Sequence, residues 1–358
     1  MSKTFVFSTI SGGYFVSQTA LVTIIREVIQ IKPTAMFGNS GGGIANLLSM
    51  KYSGTKESVE RVLYSIDSTM FIKPWISETN PFYKIMSPFS SLFQESFYKS
   101  SDNQEELFNT YFTQTELKDC ELWIGTYDVT SNFTSLLCTG AKSNSIFVNS
   151  IDAPTEVDYL EKVAGVYKVA FANGDIGKIS KTLMASSSIP GYKPPVEIDG
   201  SFYVDGGVSS PSPGSSFVNL LTTLPSLPLS SDEKFVFFYV IGDKYIDKDI
   251  EMLGKGGHWG SQISRSLKSV LNSSIYRERQ LLLQTWVSMI GATKLSDTTY
   301  VTKKGKDELA AFYDNEKHMF ITCYSKGPTV DIINFTKDDL RTTFHECYDK
   351  AFFEIYYS

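Results

Sequence analysis

The first fifty residues carry two different hydrophobic rhythms. Thr4 to Ile10 is a near-continuous apolar run of strand length, and Ser17 to Gln30 repeats its apolar residues at helical spacing. A tight Ser11-Gly12-Gly13 turn separates them. A second apolar run, Thr34 to Phe37, leads through Ser40 into a helix, Gly41 to Met50, with Ile44, Leu47 and Leu48 on one face. Strand, glycine turn and helix, repeated twice, predict a parallel sheet covered by helices.

Further along, Leu122 to Val129 and Phe133 to Thr139 read as strands, and Asp175 reads as the N-cap of a helix ending near Ser187. Asp199-Gly200 joins Val196–Ile198 to Phe202–Val204 as a hairpin. Lys234 to Ile241 is a buried strand, Ser261 to Ile290 a long core-packed helix, His318 to Tyr324 a strand and Leu340 to Tyr356 a closing helix. Pro/Ser-rich Ser209 to Ser216 reads as a loop. Eight aromatics fall within residues 71–98. We read them as a helical insertion packing into the core, rather than a lid or a membrane-facing rim. With no repeat and no clean linker, the chain is expected to form one domain over 1–358. It would carry an aromatic-rich insertion at about 68–98 and a helical C-terminal part from about 260. The expected class is α/β, a three-layer α/β/α sandwich with a predominantly parallel central sheet.

Composition narrows the function classes. The 358 residues carry a net charge of −6 without a long basic run, which argues against nucleic acid as a partner. Aromatics make up 14% of the chain, enough for a large core, a greasy lipid-facing surface, or both. No run of 18 apolar residues exists, and the first apolar stretch is too short for a signal peptide. The expected location is cytoplasmic, at most peripheral to a membrane. Cys120, Cys138, Cys323 and Cys347 lie far apart and read as reduced core thiols. With His258, His318 and His345 as the only histidines, no zinc cluster is expected, and no carboxylate loop suggests calcium. Asn-x-Ser/Thr triplets at Asn132, Asn272 and Asn334 read as chance. Oligomeric state is not legible.

Gly38-Asn39-Ser40-Gly41-Gly42 fits the G-x-S-x-G nucleophile elbow. In that motif a serine sits on a strained strand-to-helix turn, and the glycines let strand and helix close around it. The following helix aims its N-terminus at the site and favours developing negative charge. The pattern alone is unspecific, and a phosphate-cradling turn or plain βα loop would share it. The strand before it and the helix after it are what favour the elbow. Ser11-Gly12-Gly13, in a parallel sheet, would lie beside Ser40 and could line an oxyanion hole or bind a phosphate. Asp205-Gly206-Gly207 ends a strand-like run, where a carboxylate could approach a site closely or simply make a turn.

One block is more specific. Ala185-Ser-Ser-Ser-Ile-Pro190-Gly-Tyr-Lys-Pro-Pro195, then Ile198-Asp-Gly200, then Tyr203-Val-Asp205-Gly-Gly-Val208 resembles the signature of the patatin-like phospholipase family. With the upstream elbow, the resemblance runs from the first strand to at least Ile241. It implies a Ser40–Asp205 dyad without histidine, in which Ser40 attacks an ester carbonyl and Asp205 accepts its proton. It also implies oxyanion donors at Gly12, Gly13 and Gly41, elbow glycines at Gly38 and Gly42, and a loop at Gly206 and Gly207. The implied activity is that of a lipid acyl hydrolase, phospholipase A-like, acting transiently at a membrane surface on phospholipid or another lipid ester with no metal or organic cofactor. Two departures stand out. The family's oxyanion loop has a further glycine and a basic residue where this chain reads Ser11-Gly12-Gly13-Tyr14-Phe15-Val16. After the Asp-Gly-Gly, Ser209-Ser210-Pro211 stands where Asn often precedes Pro. The altered turn keeps open a catalytically impaired lipid-binding protein on the same fold, and an acyltransferase or neutral-lipid esterase is a further alternative. His258 follows Ser40 and Asp205 in the chain order of an α/β-hydrolase triad. Too few strands precede Ser40 for that fold, so His258 reads as a loop histidine, and His318 and His345 as structural or surface residues.

Overall fold

Apolar residues alternate from face to face along the central strands, so each strand feeds two cores at once. Phe5 and Phe7 face one core and Val6 the other; Ala35 and Phe37 oppose Met36; Phe235, Phe237 and Tyr239 oppose Val236, Phe238 and Val240. A sheet greasy on both faces must be covered on both, and three layers result.

The computed structural model describes residues 2–30, 32–50, 55–66, 72–74, 98–100, 109, 121–141, 167–223, 233–243, 259–292, 299–301, 305–328, 330 and 335–357. Among these the strands are β1 (Ser2–Ser8), β2 (Ala35–Asn39), β3 (Ile72–Pro74), β4 (Tyr98–Ser100), β5 (Glu121–Asp128), β6 (Phe133–Cys138), β7 (Tyr167–Phe171), β8 (Val196–Ile198), β9 (Ser201–Asp205), β10 (Lys234–Asp243), β11 (Thr299–Val301), β12 (Met319–Ser325) and β13 (Ala351–Tyr357). The α-helices are α1 (Phe15–Ile29), α2 (Gly41–Met50), α3 (Lys56–Leu63), α4 (Ile176–Ser186), α5 (Gly214–Thr223), α6 (Trp259–Met289), α7 (Gly305–Asn315) and α8 (Lys337–Asp349).

The main sheet runs β11-β13-β12-β10-β1-β2-β5-β6-β7, with the β8–β9 hairpin joined to β5 through β9. From β12 to β5 every pairing is parallel. Antiparallel pairs flank this block, β13 on one side and β6 and β9 on the other. Helices α1, α2, α3, α7 and α8 pack on one face, and α5 and α6 on the other. The α/β/α class and its parallel centre are thus as expected.

Several elements differ from the sequence reading. The closing helix ends at Asp349, and Ala351–Tyr357 is a strand between β11 and β12. A capping box between Thr336 and Asp339 starts α8. Ala351, Phe353 and Ile355 then bury on alternate positions, a strand rhythm that fits a sheet edge. With β11 and β12, this makes the part beyond about 260 mixed rather than helical. Helix α5 begins inside the segment read as a loop, because Phe217 and Val218 have a core to enter. The aromatic-rich segment lies outside the described residues except for 72–74 and 98.

Phe217 is the centre of one core, its ring 5.0–5.9 Å from those of Phe5, Phe7, Phe37 and Phe237. Phe217→Ala is expected to lower the unfolding free energy by about 3–5 kcal/mol in urea titrations. Leu281→Ala, on the exposed side of α6, should shift it by only about 0.5 kcal/mol.

Candidate active site

Two strands share one edge of β5. β2 runs parallel to it and ends with Asn39 opposite Gly125. β9 runs antiparallel from the other direction and ends with Asp205 opposite Thr126. The two chain segments therefore meet head to head, one residue apart in register. Ser40 leaves the end of one and Asp205 is the end of the other.

Ser40 has φ = 53°, a left-handed conformation that an L-residue adopts only when its surroundings enforce it. What enforces it is close packing. A Cβ at Gly38 would lie 2.6 Å from the Gly43 nitrogen, and one at Gly42 would lie 2.5 Å from the Thr9 oxygen. Only glycine lets strand and helix approach this far. The Ser40 N–H donates to Ser186 Oγ at 2.9 Å, and Ser186 Oγ donates to the Gly125 carbonyl at 2.7 Å. Ser186 thus ties the elbow to β5 from the end of α4.

Asp205 is 5% exposed. Its N–H donates to the Ser188 carbonyl at 3.0 Å, and its Oδ1 accepts from the Gly207 N–H at 2.8 Å. The Ser40 side chain is close enough to the carboxylate to act on it. Burial raises its pKa to about 6; the Ser40 hydroxyl, the Gly207 N–H and the Lys193 ammonium oppose that rise.

The glycine turn reaches the same place. Gly12, with φ = 48°, opens a short 3-10 turn, and Gly41 opens α2. N–H groups at such starts have no intrahelical acceptor. Ser11 packs directly on Gly41, where a Cβ would stand 2.3 Å from Ser11 Oγ. Gly12, Ser40 and Gly41 line one pocket of roughly 60 Å³, walled by Phe15, Ile44, Ile189, Tyr192 and Phe335, with Ser187 and Lys193 as its other polar members. Gly13 belongs to the turn but not to this lining. Gly206 presses against β5, a Cβ there falling 2.6 Å from the Gly125 carbonyl oxygen.

The departures in the turn have a packing outcome. Tyr14 lies over Gly242 at the end of β10, Phe15 forms a pocket wall beside Phe335, and Val16 is fully buried. After Asp-Gly-Gly, Asn39 Nδ2 donates to the Ser210 carbonyl at 2.8 Å, and the Ile10 N–H donates to the Pro211 carbonyl at 2.6 Å. Glu278 accepts from the N–H and hydroxyl of both Ser212 and Ser215. Burial still lifts its pKa to about 7.

Sequence reasoning missed Ser186, Lys193 and Glu278 as parts of this arrangement. Ser186 and Lys193 stand inside the quoted signature block, but only burial distinguishes them. His318 lies beside the start of β12, at the opposite end of the strands, where its Nδ1 accepts the Phe235 N–H. His345 pairs with Glu60 on the surface of α8. His258 lies outside the described residues. Among the described residues no group of three or more His, Cys, Asp or Glu could hold a metal ion.

With this geometry in place, the comparisons define the class. The chain matches the patatin-like phospholipase family over residues 9–218, a span containing the turn, the elbow and the Asp205 loop, and it belongs to that family of lipid acyl hydrolases. No curated protein matches it by sequence. Among solved structures it is similar to VipD from Legionella pneumophila, at 11% identity and a TM-score of 0.29, over 98% of this chain and 67% of that one.

Ser186→Ala should leave the Ser40 N–H unpaired inside the protein. The expected loss is about 1–3 kcal/mol of stability, measured by chemical denaturation.

Proposed function

We propose that the protein is a lipid acyl hydrolase, phospholipase A-like, working through a Ser40–Asp205 dyad and an acyl-enzyme. The observation that supports this reading is the meeting of β2 and β9 on one edge of β5, which sets Ser40, strained and at an apolar pocket, beside a buried Asp205. Ser40 Oγ adds to the ester carbonyl while its proton passes to Asp205. The N–H groups of Gly12, Gly13 and Gly41 receive the oxyanion. Collapse breaks the ester C–O bond, and Asp205 returns the proton to the departing alcohol. Water then repeats the sequence on the acyl-serine, with Asp205 as base, and releases a fatty acid.

Several features support a lipid ester as the substrate. The walls are Phe15, Ile44, Ile189, Tyr192 and Phe335, which suit an acyl chain. Ile189 is also 39% exposed, so apolar surface runs from the pocket towards solvent. Among the described residues no helix is long and apolar enough to cross a membrane. Transient contact with a bilayer surface would deliver the ester.

The test is fluorophosphonate labelling together with fatty-acid release from phospholipid vesicles. Wild type should label and release. Ser40→Ala should do neither, and Asp205→Asn should lose on the order of 10²–10⁴ in kcat/KM. A folded wild type inert in both assays would overturn the reading. The pH profile follows from Asp205, which must be ionised to accept a proton. Its pKa stands at about 6, so the activity present at neutral pH should decline as pH falls through that value.

A further inference from the structure

The Ser11–Val16 turn brings N–H groups to the pocket but no cationic side chain. The pocket nevertheless contains a cation. Lys193 is 6% exposed and is the one charged residue among the described residues that line it. It sits on the segment between α4 and β8, where its N–H donates to the Ile189 carbonyl at 3.0 Å. Its Nζ donates to Ser187 Oγ at 3.1 Å, which holds the ammonium at the pocket wall. Burying an ammonium is expensive, and an apolar residue would wall the same pocket without that cost.

We propose that Lys193 is the counter-charge of this site, holding Asp205 as a carboxylate and then balancing the oxyanion formed on the substrate. The proposal rests on the Ser40–Asp205 reading and adds to it. In the attack, the Ser40 Oγ electron pair forms the bond to the carbonyl carbon, and the C=O π pair moves to oxygen. The Ser40 proton goes to Asp205. One negative charge thus leaves the carboxylate as another appears on the substrate oxygen. Ser40, where the oxyanion forms, lines the same pocket as Lys193, and the ammonium also acts on Asp205, so a single fixed positive charge serves before and after the transfer.

The surrounding charges leave this role to Lys193. On elements packed against β9, buried Asp128 of β5 accepts from the N–H groups of Thr130 and Ser131. Lys178 of α4 pairs with Asp199, while Lys181 and Glu197 are exposed. Among the described residues, the Lys193 charge acts on Asp205 and the Asp205 charge on Lys193. Burial lowers the Lys193 pKa to about 8 and Asp205 opposes this, so the side chain is mostly cationic at neutral pH.

The experiment compares wild type, Lys193→Met and Lys193→Arg in the full chain. It measures kcat and KM for fatty-acid release from phosphatidylcholine vesicles between pH 5 and 9. Lys193→Met keeps the stem and removes the charge. Its kcat at pH 6 should fall on the order of tenfold, with KM little changed and the acid limb moved to higher pH. Lys193→Arg should restore the limb; if it does not fold, the Lys193→Met profile decides alone. An unmoved limb, with the same loss at every pH, would overturn the inference. A wild type inert towards vesicles and fluorophosphonate would instead sink the dyad reading. Lys193 would then be judged by a urea-unfolding double-mutant cycle of Lys193→Met with Asp205→Asn. Non-additive effects would sustain the charge pair, and additive effects would overturn it.

Discussion

The site depends on the one edge of β5 that two strands share. Most parallel sheets use a central strand's edge for a single neighbour. Here β2 takes residues Glu121 to Gly125, and β9 arrives from the opposite direction to take Thr126 to Asp128. Backbone hydrogen bonding sets both registers, so the meeting of Ser40 and Asp205 is fixed by the sheet rather than by flexible loops. Gly125 is the pivot. A Cβ there would lie 1.9 Å from Asn39 Oδ1, and its carbonyl accepts Ser186 Oγ while Gly206 presses against it. One residue position thus touches the elbow, the Asp205 loop and the end of α4.

Electrostatics follow from that crowding. Head-to-head strand ends leave little room for water, so Asp205 is desolvated and its pKa climbs to about 6. A carboxylate at its ordinary value would be a weak base. One raised without restraint would hold a proton at neutral pH and accept none from serine. The Ser40 hydroxyl, the Gly207 N–H and Lys193 pull against burial and leave it ionised at pH 7 while more basic than a free aspartate. For the proposed dyad, the usefulness of the carboxylate is therefore a balance between packing and three opposing interactions.

The parts legible in the sequence were those whose physics is local. The elbow is readable because close approach demands glycine at fixed offsets from Ser40, and the double rhythm of the central strands is readable because period two is a property of the strand itself. The Ser40–Asp205 contact is not of this kind. It depends on registers formed across 165 residues (205 − 40), and only resemblance to a family suggested it. The C-terminal error is instructive in the same way. Leu340, Phe344, Cys347, Tyr348 and Ala351 are spaced for a helix, while Ala351, Phe353 and Ile355 alternate as a strand. The two rhythms meet at Ala351, and pairing with β11 and β12 decides where one gives way to the other.

The altered turn fits the same logic. Tyr14, Phe15 and Val16 are not vacancies left by lost polar residues, since each packs against the sheet, the pocket or the core. In the proposed mechanism the positive charge comes instead from Lys193, on the segment before β8. The turn then contributes backbone N–H groups and apolar wall, and the segment before β8 contributes charge. Gly12 at φ = 48° still opens the turn where a Cβ would meet nothing within 4 Å, so the backbone route to the pocket is kept even though its side chains have changed.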